Sequence, residues 1–387
     1  MATVRVNRKA ADRVASGHPW IFDSDVIDRG DAEGGAAVTV VDPRGRALGT
    51  AHYSSPSKIS LRMLSDRVET LDRSFYLRRI EAAREYRSRV VQGSDAYRVV
   101  YGEADRLPGL IVDRYGDYLV VQTLDQGMER TKADIVSCLQ ELFAPAGIVE
   151  RNDAPVRAKE SLPIASGVLS GHVPDAVTIH MNGLELDGDL LHGQKTGVFL
   201  DQRENYPAVV RYARGRALDC FTSTGGFALH LAPRCETVEA IDSSAPALAS
   251  AKSNAARNGI GNIEFKEADV FDLLSNYASA ANRFDVVVLD PPAFAKSRAK
   301  IEGAARGYKE INLRALRLLR PGGVLVTCSC SHHVSEAMLL EVVAEASLDA
   351  HRTLRVLERR TQALDHPILL TVPETHYLKC LVFEVVT

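Results

Sequence analysis

The sequence has no long apolar run and no excess of positive charge. No stretch of its 387 residues approaches the ~18–20 apolar residues that a membrane-spanning helix needs, and the opening MATVRVNRKA is too polar for a signal peptide. The formal net charge is −3, so the molecule as a whole is no polybasic nucleic-acid binder, and any RNA contact must come from local patches. We expect a cytoplasmic protein without a membrane partner.

Cysteine is sparse, and no two cysteines form a CxxC pair. Six cysteines without a repeated spacing fit a reducing compartment and not a disulfide framework. Cys328 and Cys330 are closer together than the cysteines of the usual zinc motif, so we expect no metal. The phosphate-binding motif GxxxxGK[ST] is also absent, which argues against ATP hydrolysis.

Three segments of different pattern divide the chain. Residues 1–72 are β-rich, with a turn at 42–45 between two strands, and residues 73–188 place strands around one helix in a small α+β module. In residues 189–387 strands and helices alternate singly, as in βαβ units with a parallel sheet. We therefore predict an α/β protein of three domains with these boundaries.

Two features of the N-terminal half each have two interpretations. Arginine is dense at 4–13 and at 71–89, where a solvated helix face is the commoner meaning and an RNA-binding surface is the alternative. Trp20 is the only tryptophan of the chain. It is either a core or interdomain anchor or, as the alternative, a platform for base stacking.

Five apolar, strand-like runs in the second half lead into acids, glycines, prolines or cysteines. They are LDCFTSTGGF at 218–227, VEAIDSS at 238–244, EADVFD at 267–272, VVVLDPPAF at 286–294 and GGVLVTCSCS at 322–331. An open parallel sheet presents its ligand site at the carboxyl ends of its strands. We therefore expect the first three segments to hold a nucleoside cofactor and the last two to hold a target base.

In the cofactor half, three aspartates follow strands. Asp219 ends the first strand, and the small-residue turn at 222–226 leads into a helix whose start offers free N–H groups. Asp242 comes about twenty residues later, where an acid can accept both hydroxyls of a ribose. Asp269 either accepts an adenine amino group or caps a helix. Together the three acids predict an adenosine-containing cofactor.

In the target half, an apolar strand delivers Asp290 to the edge of the sheet. Pro291 and Pro292 stiffen the turn that follows, and Phe294 offers a flat ring. This arrangement suits a planar base, whose edge bonds to the aspartate and whose face packs on the ring. The alternative is a rigid structural loop with Phe294 in the core.

The last of the five segments supplies the candidate nucleophiles. Cys330 lies among hydroxyl residues beyond the end of a buried strand, which favours a reactive thiol. Cys328 lies closer to the strand and is more typical of a small buried hydrophobe.

Taken together, these residues resemble the class I S-adenosylmethionine-dependent RNA methyltransferases. The closest resemblance is to the bacterial large-subunit ribosomal RNA cytosine-C5 methyltransferase family with an N-terminal PUA domain. It covers essentially the whole chain, through RVASGHPWIF, GEADRLPGLIVDRYGD, HGQKTGVFLDQRENY, LDPPAFAKS and TCSCSHH. The resemblance implies a Rossmann-like class I methyltransferase domain with a mostly parallel sheet at 189–387, a central α+β module at 73–188 and a PUA-like RNA-binding domain at 1–72.

The resemblance also implies roles for particular residues. The implied contacts to S-adenosyl-L-methionine are Lys195, Thr196, Phe199, Asp201, Arg203, Asp219, Phe221, Thr222, Gly225, Asp242, Asp269 and Asp290. The implied catalytic residues are Cys330 and Asp290, with Pro291, Pro292 and Phe294 at the target base. Many RNA cytosine-C5 methyltransferases carry a second cysteine where Pro292 stands, so product release here needs another base.

The implied function is methyl transfer to C5 of a cytosine in 23S ribosomal RNA, through a covalent bond between Cys330 and C6. The substrate is either the naked RNA or a ribosome-assembly intermediate, and a homodimer is left open. Two alternatives remain. One is a methyltransferase acting on a guanine of ribosomal RNA, and the other is a ribosome-assembly RNA-binding factor with a vestigial cofactor site.

Overall fold

The computed structural model of the protein describes residues 1–191, 198–295 and 300–387. Their contacts define two compact units. Unit 1 contains Met1–Ile179, the short described stretch 188–191, and Leu364–Thr375. Unit 2 contains His180–Asp187, the described residues between 198 and 363, and His376–Thr387. The three-domain division at 72/73 and 188/189 stays a prediction.

The N-terminal part of unit 1 is a six-stranded sheet with one helix, α1 (Arg8–Ala15). Its strands are β1 (Ala2–Val6), β2 (Trp20–Phe22), β3 (Val26–Asp28), β4 (Ala37–Val41), β5 (Ala47–Tyr53) and β6 (Ile59–Ser65), in the order β2-β6-β5-β4-β1-β3. The predicted turn at 42–45 is confirmed: Asp42 Oδ1 accepts the backbone N–H groups of Arg44 and Arg46 at 2.8 and 2.9 Å. The short strands β1, β2 and β3 were not predicted.

The rest of unit 1 is built on a five-stranded sheet. Its strands are β7 (Ala96–Tyr101), β8 (Leu110–Tyr115), β9 (Tyr118–Thr123), β10 (Gly147–Asn152) and β11 (Ala165–Gly171), in the order β11-β10-β9-β8-β7. Its helices are α2 (Arg73–Val90), α3 (Gln126–Arg130), α4 (Lys132–Phe143) and α5 (Val156–Lys159). A break at Thr131 separates α3 from α4, and the Oγ1 of this residue donates back to the carbonyl of Gly127 at 3.0 Å.

The arginines of α2 are largely used within unit 1. Arg87 is buried, and its guanidinium donates to the carbonyl of Arg98 at 2.9 Å, to Asp105 Oδ2 at 2.8 Å and to the carbonyl of Asp365 at 2.8 Å. Arg84 donates to the carbonyl of Leu142 at 2.8 Å. The interpretation of this run as a solvated face is therefore wrong for Arg87, which ties α2 to the segment Leu364–Thr375.

Trp20 is half-buried and acts as an anchor within unit 1. Its Nε1 donates to Glu103 Oε1 at 2.8 Å, and so links β2 to the residues that follow β7. His18 packs edge-on against the indole, with the ring centroids 5.3 Å apart. The anchor interpretation of Trp20 is confirmed.

Unit 2 contains a seven-stranded sheet that is mostly parallel, as predicted. After a hairpin of β12 (Val177–Met181) and β13 (Leu184–Gly188), its strands are β14 (Arg216–Cys220), β15 (Thr237–Asp242), β16 (Ile263–Glu267), β17 (Phe284–Leu289), β18 (Leu319–Ser329), β19 (Leu354–Thr361) and β20 (Lys379–Val385). The order is β16-β15-β14-β17-β18-β20-β19, and β20 runs antiparallel to both neighbours. The antiparallel pair at the C-terminus was not predicted.

Helices connect the strands of unit 2. They are α6 (Asn205–Val209), α7 (Gly226–Leu231), α8 (Ala245–Arg257), α9 (Val270–Ser279), α10 (Ile301–Leu318) and α11 (Glu336–Asp349). Gly259 follows the end of α8 and adopts a φ of +65°, which glycine tolerates without strain. None of the helices in the described residues is both long and apolar enough to cross a bilayer.

The sheet of unit 2 reverses its winding next to β14. The chain passes from β14 to β15 and β16 on one side, and then returns to place β17 on the other side of β14. Val286, Val287 and Val288 of β17 are fully buried, as expected for a central parallel strand that is covered on both faces. Such a reversal opens a crevice at the carboxyl ends of the strands, where ligands bind in folds of this type.

Candidate active site

The five segments singled out in the sequence lie on five neighbouring strands. β16, β15, β14, β17 and β18 follow one another in the sheet, and all four pairings between them are parallel. Their carboxyl ends therefore share one edge of the sheet. The chemistry-bearing residues at or after these ends are, in the same order, Asp269, Asp242, Asp219, Asp290 and Cys330. The expected placement of these five segments at one edge of a parallel sheet is confirmed, whereas the division into a cofactor half and a target half stays a prediction.

Asp219 is a buried acid whose hydrogen bonding is incomplete. Its Oδ2 accepts from Thr222 Oγ1 at 2.6 Å and from the N–H of Ala228 at 2.9 Å. Its Oδ1 is buried and has no hydrogen-bond partner among the described residues. Burial raises the pKa of Asp219 to about 7, and the charge of Asp242 acts in the same direction. A donor or cation from a ligand would satisfy this oxygen.

Asp242 fixes the turn after β14. Its Oδ2 accepts the N–H of Ser223 and its Oδ1 accepts the N–H of Ser244, both at 2.9 Å. A carboxylate has about four lone-pair sites, so the half-buried group keeps acceptor capacity for two hydroxyls. Phe221 and Ser223 have φ values of +63° and +50°. Non-glycine residues rarely adopt this conformation, which concentrates at functional sites.

Gly225 completes the same turn and immediately precedes α7. It has a φ of +91°, and its N–H donates to the carbonyl of Thr222 at 2.9 Å. The next residue, Gly226, is required for packing, because a Cβ there would lie 2.5 Å from the ring of Tyr206. The predicted small-residue turn into a helix is confirmed.

Asp269 is an N-cap, as the alternative interpretation proposed. Its side chain accepts the N–H of Phe271 at 2.8 Å and that of Asp272 at 3.2 Å, at the start of α9. Both bonds are made by Oδ1, and the residue is exposed at the sheet edge. Its contact with adenine stays a prediction.

The residues implied upstream of α6 are only partly described. Lys195 and Thr196 lie outside the described residues. Phe199 is half-buried just before a short 3-10 turn, Leu200–Gln202. Asp201 Oδ2 accepts from the hydroxyl of Tyr377 at 2.6 Å, and Asp201 Oδ1 is buried without a partner among the described residues.

Arg203 belongs to the same segment and is buried. It donates through Nη2 to Glu204 Oε1 at 3.1 Å, and its carbonyl accepts from Asn182 Nδ2 at 2.7 Å. These bonds hold the segment in place. The implied cofactor contacts of Phe199, Asp201 and Arg203 stay predictions.

Asp290 is held by a chain of buried amides. Gln202 Nε2 donates to Asp290 Oδ2 at 3.1 Å, and Gln202 Oε1 accepts from Asn205 Nδ2 at 2.6 Å. Asn205 Oδ1 accepts from Arg360 Nε at 2.9 Å. Gln202 and Asn205 are both almost fully buried. Neither residue was predicted from the sequence, where the polar run QREN next to a cofactor motif was the only available signal.

The loop after Asp290 combines both interpretations of Phe294. Pro291 is buried and Pro292 is exposed. The half-buried ring of Phe294 packs on Tyr308, with centroids 4.7 Å apart, and so belongs partly to the core. It also lines an open cavity of about 370 Å³, together with Lys300, Glu302, Gly303, Ala304 and Arg306.

The two candidate cysteines differ in exposure. Cys328 is fully buried in β18 opposite Cys380 of β20, and burial raises the pKa of its thiol well above the ordinary value. Cys330 follows the last residue of β18 and is the only one of the six cysteines that is not buried. The expectation that Cys328 behaves as a small buried hydrophobe is confirmed. Access is necessary for a thiolate to attack a base, and Cys330 has it.

One charged side chain near Cys330 was also missed. Lys379 is almost fully buried, and its Nζ donates to the carbonyl of Ser331 at 2.7 Å. It opens β20, whose sequence KCLVFEV is otherwise apolar except for Glu384. A lysine at the start of a buried strand was the signal that could have identified it.

Comparison with known proteins agrees with this architecture. The chain matches the family models of a PUA-like domain over residues 4–66 and of a methyltransferase domain over residues 213–368. A solved structure, described as a methyltransferase complexed with SAH, covers 100% of both chains with a TM-score of 0.87 at 19% identity. That likeness shows a common fold: a PUA-like domain followed by a Rossmann-like class I methyltransferase domain.

Closer relatives are found among characterised sequences. The Ribosomal RNA large subunit methyltransferase I of Klebsiella pneumoniae (strain 342) is 42% identical over 371 residues, 94% of this chain and 93% of that protein. The protein of the same name from Tolumonas auensis is 42% identical over 395 residues, 99% of each chain. Because identity is this high over nearly the whole length, the chain belongs to the ribosomal RNA large subunit methyltransferase I family.

Proposed function

We propose that this protein transfers a methyl group from S-adenosyl-L-methionine to C5 of a cytosine in 23S ribosomal RNA, through a covalent bond between Cys330 Sγ and C6 of the base. The observation that carries the proposal is the placement of Asp290 and Cys330 after the neighbouring parallel strands β17 and β18, with Cys330 the only cysteine that is not buried. The names of the relatives support large-subunit ribosomal RNA as the substrate class.

The residues of the cofactor half fit S-adenosyl-L-methionine, which supplies an electrophilic methyl group on a sulfonium. Asp242 accepts the ribose hydroxyls with its remaining lone pairs, because each of its two oxygens accepts only one backbone N–H. The buried Oδ1 of Asp219 accepts from a donor or cation of the bound molecule. The turn at 221–225 lets the backbone approach the ligand closely. S-adenosyl-L-methionine has no phosphate, so no phosphate-binding loop is needed.

The residues of the target half activate a base that is otherwise a poor nucleophile at C5. Attack of the Cys330 thiolate on C6 shifts an electron pair to C5, which can then take the methyl group. Asp290 accepts a hydrogen bond from the N4 amino group and, in its protonated form, donates to N3, where negative charge develops as the thiolate adds to C6. A base then removes the C5 proton, the C6–S bond breaks and the thiolate is restored. Pro292 stands where related enzymes have a helper cysteine, so another group is this base.

The target cytosine has to be unpaired or flipped out of its helix to reach Cys330. The cavity beside Phe294 contains two cationic side chains, Lys300 and Arg306, that suit the phosphates of a flipped nucleotide. The PUA-like domain contributes contacts to RNA shape and backbone. In this proposal the PUA-like domain supplies affinity for RNA, and the methyltransferase domain carries out the methyl transfer.

Trapping with 5-fluorocytosine tests the proposal. RNA that carries 5-fluorocytosine at the target should form a stable adduct with the wild-type protein, because fluorine does not leave as the C5 proton does. Cys330→Ala should abolish both the adduct and methyl transfer while cofactor binding, measured by calorimetry, is retained. Cys328→Ala is the matched control and should keep substantial activity.

Two outcomes would contradict the proposal. Normal C5 methylation by Cys330→Ala would remove the covalent mechanism, and an adduct that depends on Cys328 would move the nucleophile. Mass mapping of the methylated nucleotide separates the C5-cytosine product from a methylated guanine. A protein that binds the cofactor and RNA but yields no methylated product would be an assembly factor.

A further inference from the structure

Lys379 spans the backbone of Cys330. Its Cα is paired with Ser329, the residue before the cysteine, in the antiparallel ladder of β18 and β20. Its Nζ donates to the carbonyl of Ser331, the residue after the cysteine, at 2.7 Å and to the carbonyl of Tyr377 at 2.7 Å. The side chain therefore reaches from one neighbour of Cys330 in the chain to the other.

The environment of Lys379 suits a charge that is tied to the cysteine. The residue is 3% exposed, and burial lowers the pKa of its amine to about 8, while a negative charge on Cys330 acts in the opposite direction. At pH 7 the ammonium form therefore predominates. An ammonium group beside a thiol favours the thiolate, which is the nucleophilic form.

Among the described residues, further titratable groups near this pair lie on α11, on α10 and in the segment before β20. Glu336, the first residue of α11, is a second anion that acts on Lys379, and it is bonded to Arg359. Tyr308 faces Cys330 from α10, and burial raises the pKa of its hydroxyl, so that it stays neutral. From the segment before β20, the ring of Tyr377 packs against His332, with centroids 5.4 Å apart.

Asp290 lies after the neighbouring strand β17 and receives its own hydrogen bond from Gln202. Its charge opposes a second anion at this edge of the sheet. A nearby cation offsets this repulsion when the thiol ionises, and Lys379 is placed to supply one.

We propose that Lys379 is a positioning residue for the nucleophile, which fixes the turn at 329–331 and stabilises the thiolate of Cys330 with its ammonium group. In molecules whose Lys379 amine is neutral, the amine takes the thiol proton: one S–H bond breaks, one N–H bond forms, and a thiolate–ammonium pair results. The role of this pair in catalysis rests on the proposed function, whereas the coupling of the two groups does not.

Alkylation of the full-length protein by iodoacetamide between pH 6 and 9 tests the coupling. Peptide mapping by mass spectrometry follows Cys330, and the five buried cysteines serve as the internal reference for intact folding. Lys379→Met should lower the alkylation rate of Cys330 at pH 7 about tenfold or more and move the midpoint of its pH profile upward. Lys379→Arg keeps the charge and should stay close to the wild type.

Lys309→Met is the matched control, because it removes an equal charge from α10, where Lys309 is paired with Glu345 and Asp349. Its alkylation profile should be unchanged. A Lys379→Met profile that superimposes on the wild type would overturn the proposal. So would an equal shift in Lys309→Met, since the effect would then reflect general charge.

A second measurement does not depend on the folding of Lys379→Met. Lysines labelled with ¹³C-methyl groups can be titrated by NMR in the wild type and in Cys330→Ala. Removal of the thiolate should lower the titration midpoint of Lys379, and an unchanged midpoint would contradict the coupling. Adduct formation with 5-fluorocytosine tests the nucleophile separately, so failure of the proposed function and failure of this inference give different results.

Discussion

Gln202 donates a hydrogen bond from its Nε2 to Oδ2 of Asp290 over 3.1 Å. The amide is held from its other side by Asn205, which is itself bonded to Arg360 of β19. Because each member of this chain is fixed by the next, the carboxylate of Asp290 has a defined orientation at the edge of the sheet. Support of this kind gives a catalytic group its geometry.

Replacing Gln202 by Met should lower kcat for methyl transfer about tenfold to a hundredfold, because a misplaced Asp290 no longer meets the base edge. Single-turnover methylation of RNA measures the effect, and cofactor affinity should stay near the wild-type value. Gln140→Met is the control: Gln140 is exposed and bonded to Ser170 in unit 1. An unaltered kcat in Gln202→Met would show that Asp290 needs no such support.

Much of this site could be predicted because it is local in sequence. A strand that ends in an acid, or in the sequence CSC, can be recognised within about ten residues, and parallel pairing then brings the ends of such strands to one edge of the sheet. The order of the strands in the sheet does not affect that prediction. For the same reason the small-residue turn at 222–226 was predicted correctly.

What could not be predicted depends on contacts between distant residues. Arg87 and Asp365 are 278 positions apart, and nothing in the run at 71–89 distinguishes a buried arginine from exposed ones. Gln202 and Lys379 bond to Asp290 and Ser331, which lie 88 and 48 positions away from them in the chain. The N-cap role of Asp269 is a choice between two local readings, which only the geometry of α9 decides.

Replacing Asp242 by Ala should weaken the binding of S-adenosyl-L-methionine by about 1.5–3 kcal/mol, the scale for a lost hydrogen bond to a charged group. Isothermal calorimetry measures this. Asp272→Ala removes the same charge from an exposed position on α9 and should bind normally. Unchanged affinity in a correctly folded Asp242→Ala protein would mean that the ribose lies elsewhere.

Asp219 should make the cofactor-free protein less stable as the pH rises. Burial disfavours the charged form and raises the pKa of Asp219 in the folded state to about 7, from the ordinary value of 3.8 for an aspartate. The folded state therefore holds more protons than the unfolded state between these two values. Stability is then lost as the pH rises from about 4 through about 7, by roughly 1.4 kcal/mol for each unit of pKa difference as an upper bound.

Asp219→Asn keeps an oxygen that can accept from Thr222 and Ala228 but does not titrate, so its stability should change less over this range. Thermal unfolding followed by circular dichroism at pH 5, 6, 7 and 8 compares the two proteins. Parallel pH profiles for wild type and Asp219→Asn would show that this carboxyl is not the cause.

Substitution of the buried Arg62 should lower the free energy of unfolding of unit 1, because two buried acids depend on its charge. Its Nη2 donates to Glu160 Oε1 at 2.8 Å and its Nε lies 3.6 Å from Asp125 Oδ2, and all three side chains are nearly fully buried. Arg62→Met leaves both carboxylates without their cation, and should destabilise unit 1 by about 3–5 kcal/mol. Urea unfolding followed by the fluorescence of Trp20 measures this, since the only tryptophan lies in unit 1.

The control for Arg62 is an ion pair that water already screens. Arg29 and Asp23 are both about half exposed, so Arg29→Met should change the same transition by no more than about 1 kcal/mol. Binding of S-adenosyl-L-methionine should survive Arg62→Met, whereas RNA affinity should fall as the PUA-like domain loosens. If Arg62→Met unfolds with the wild-type midpoint, the buried cluster is compensated by other groups. Truncating the first 70 residues tests separately whether the PUA-like domain is needed for RNA binding.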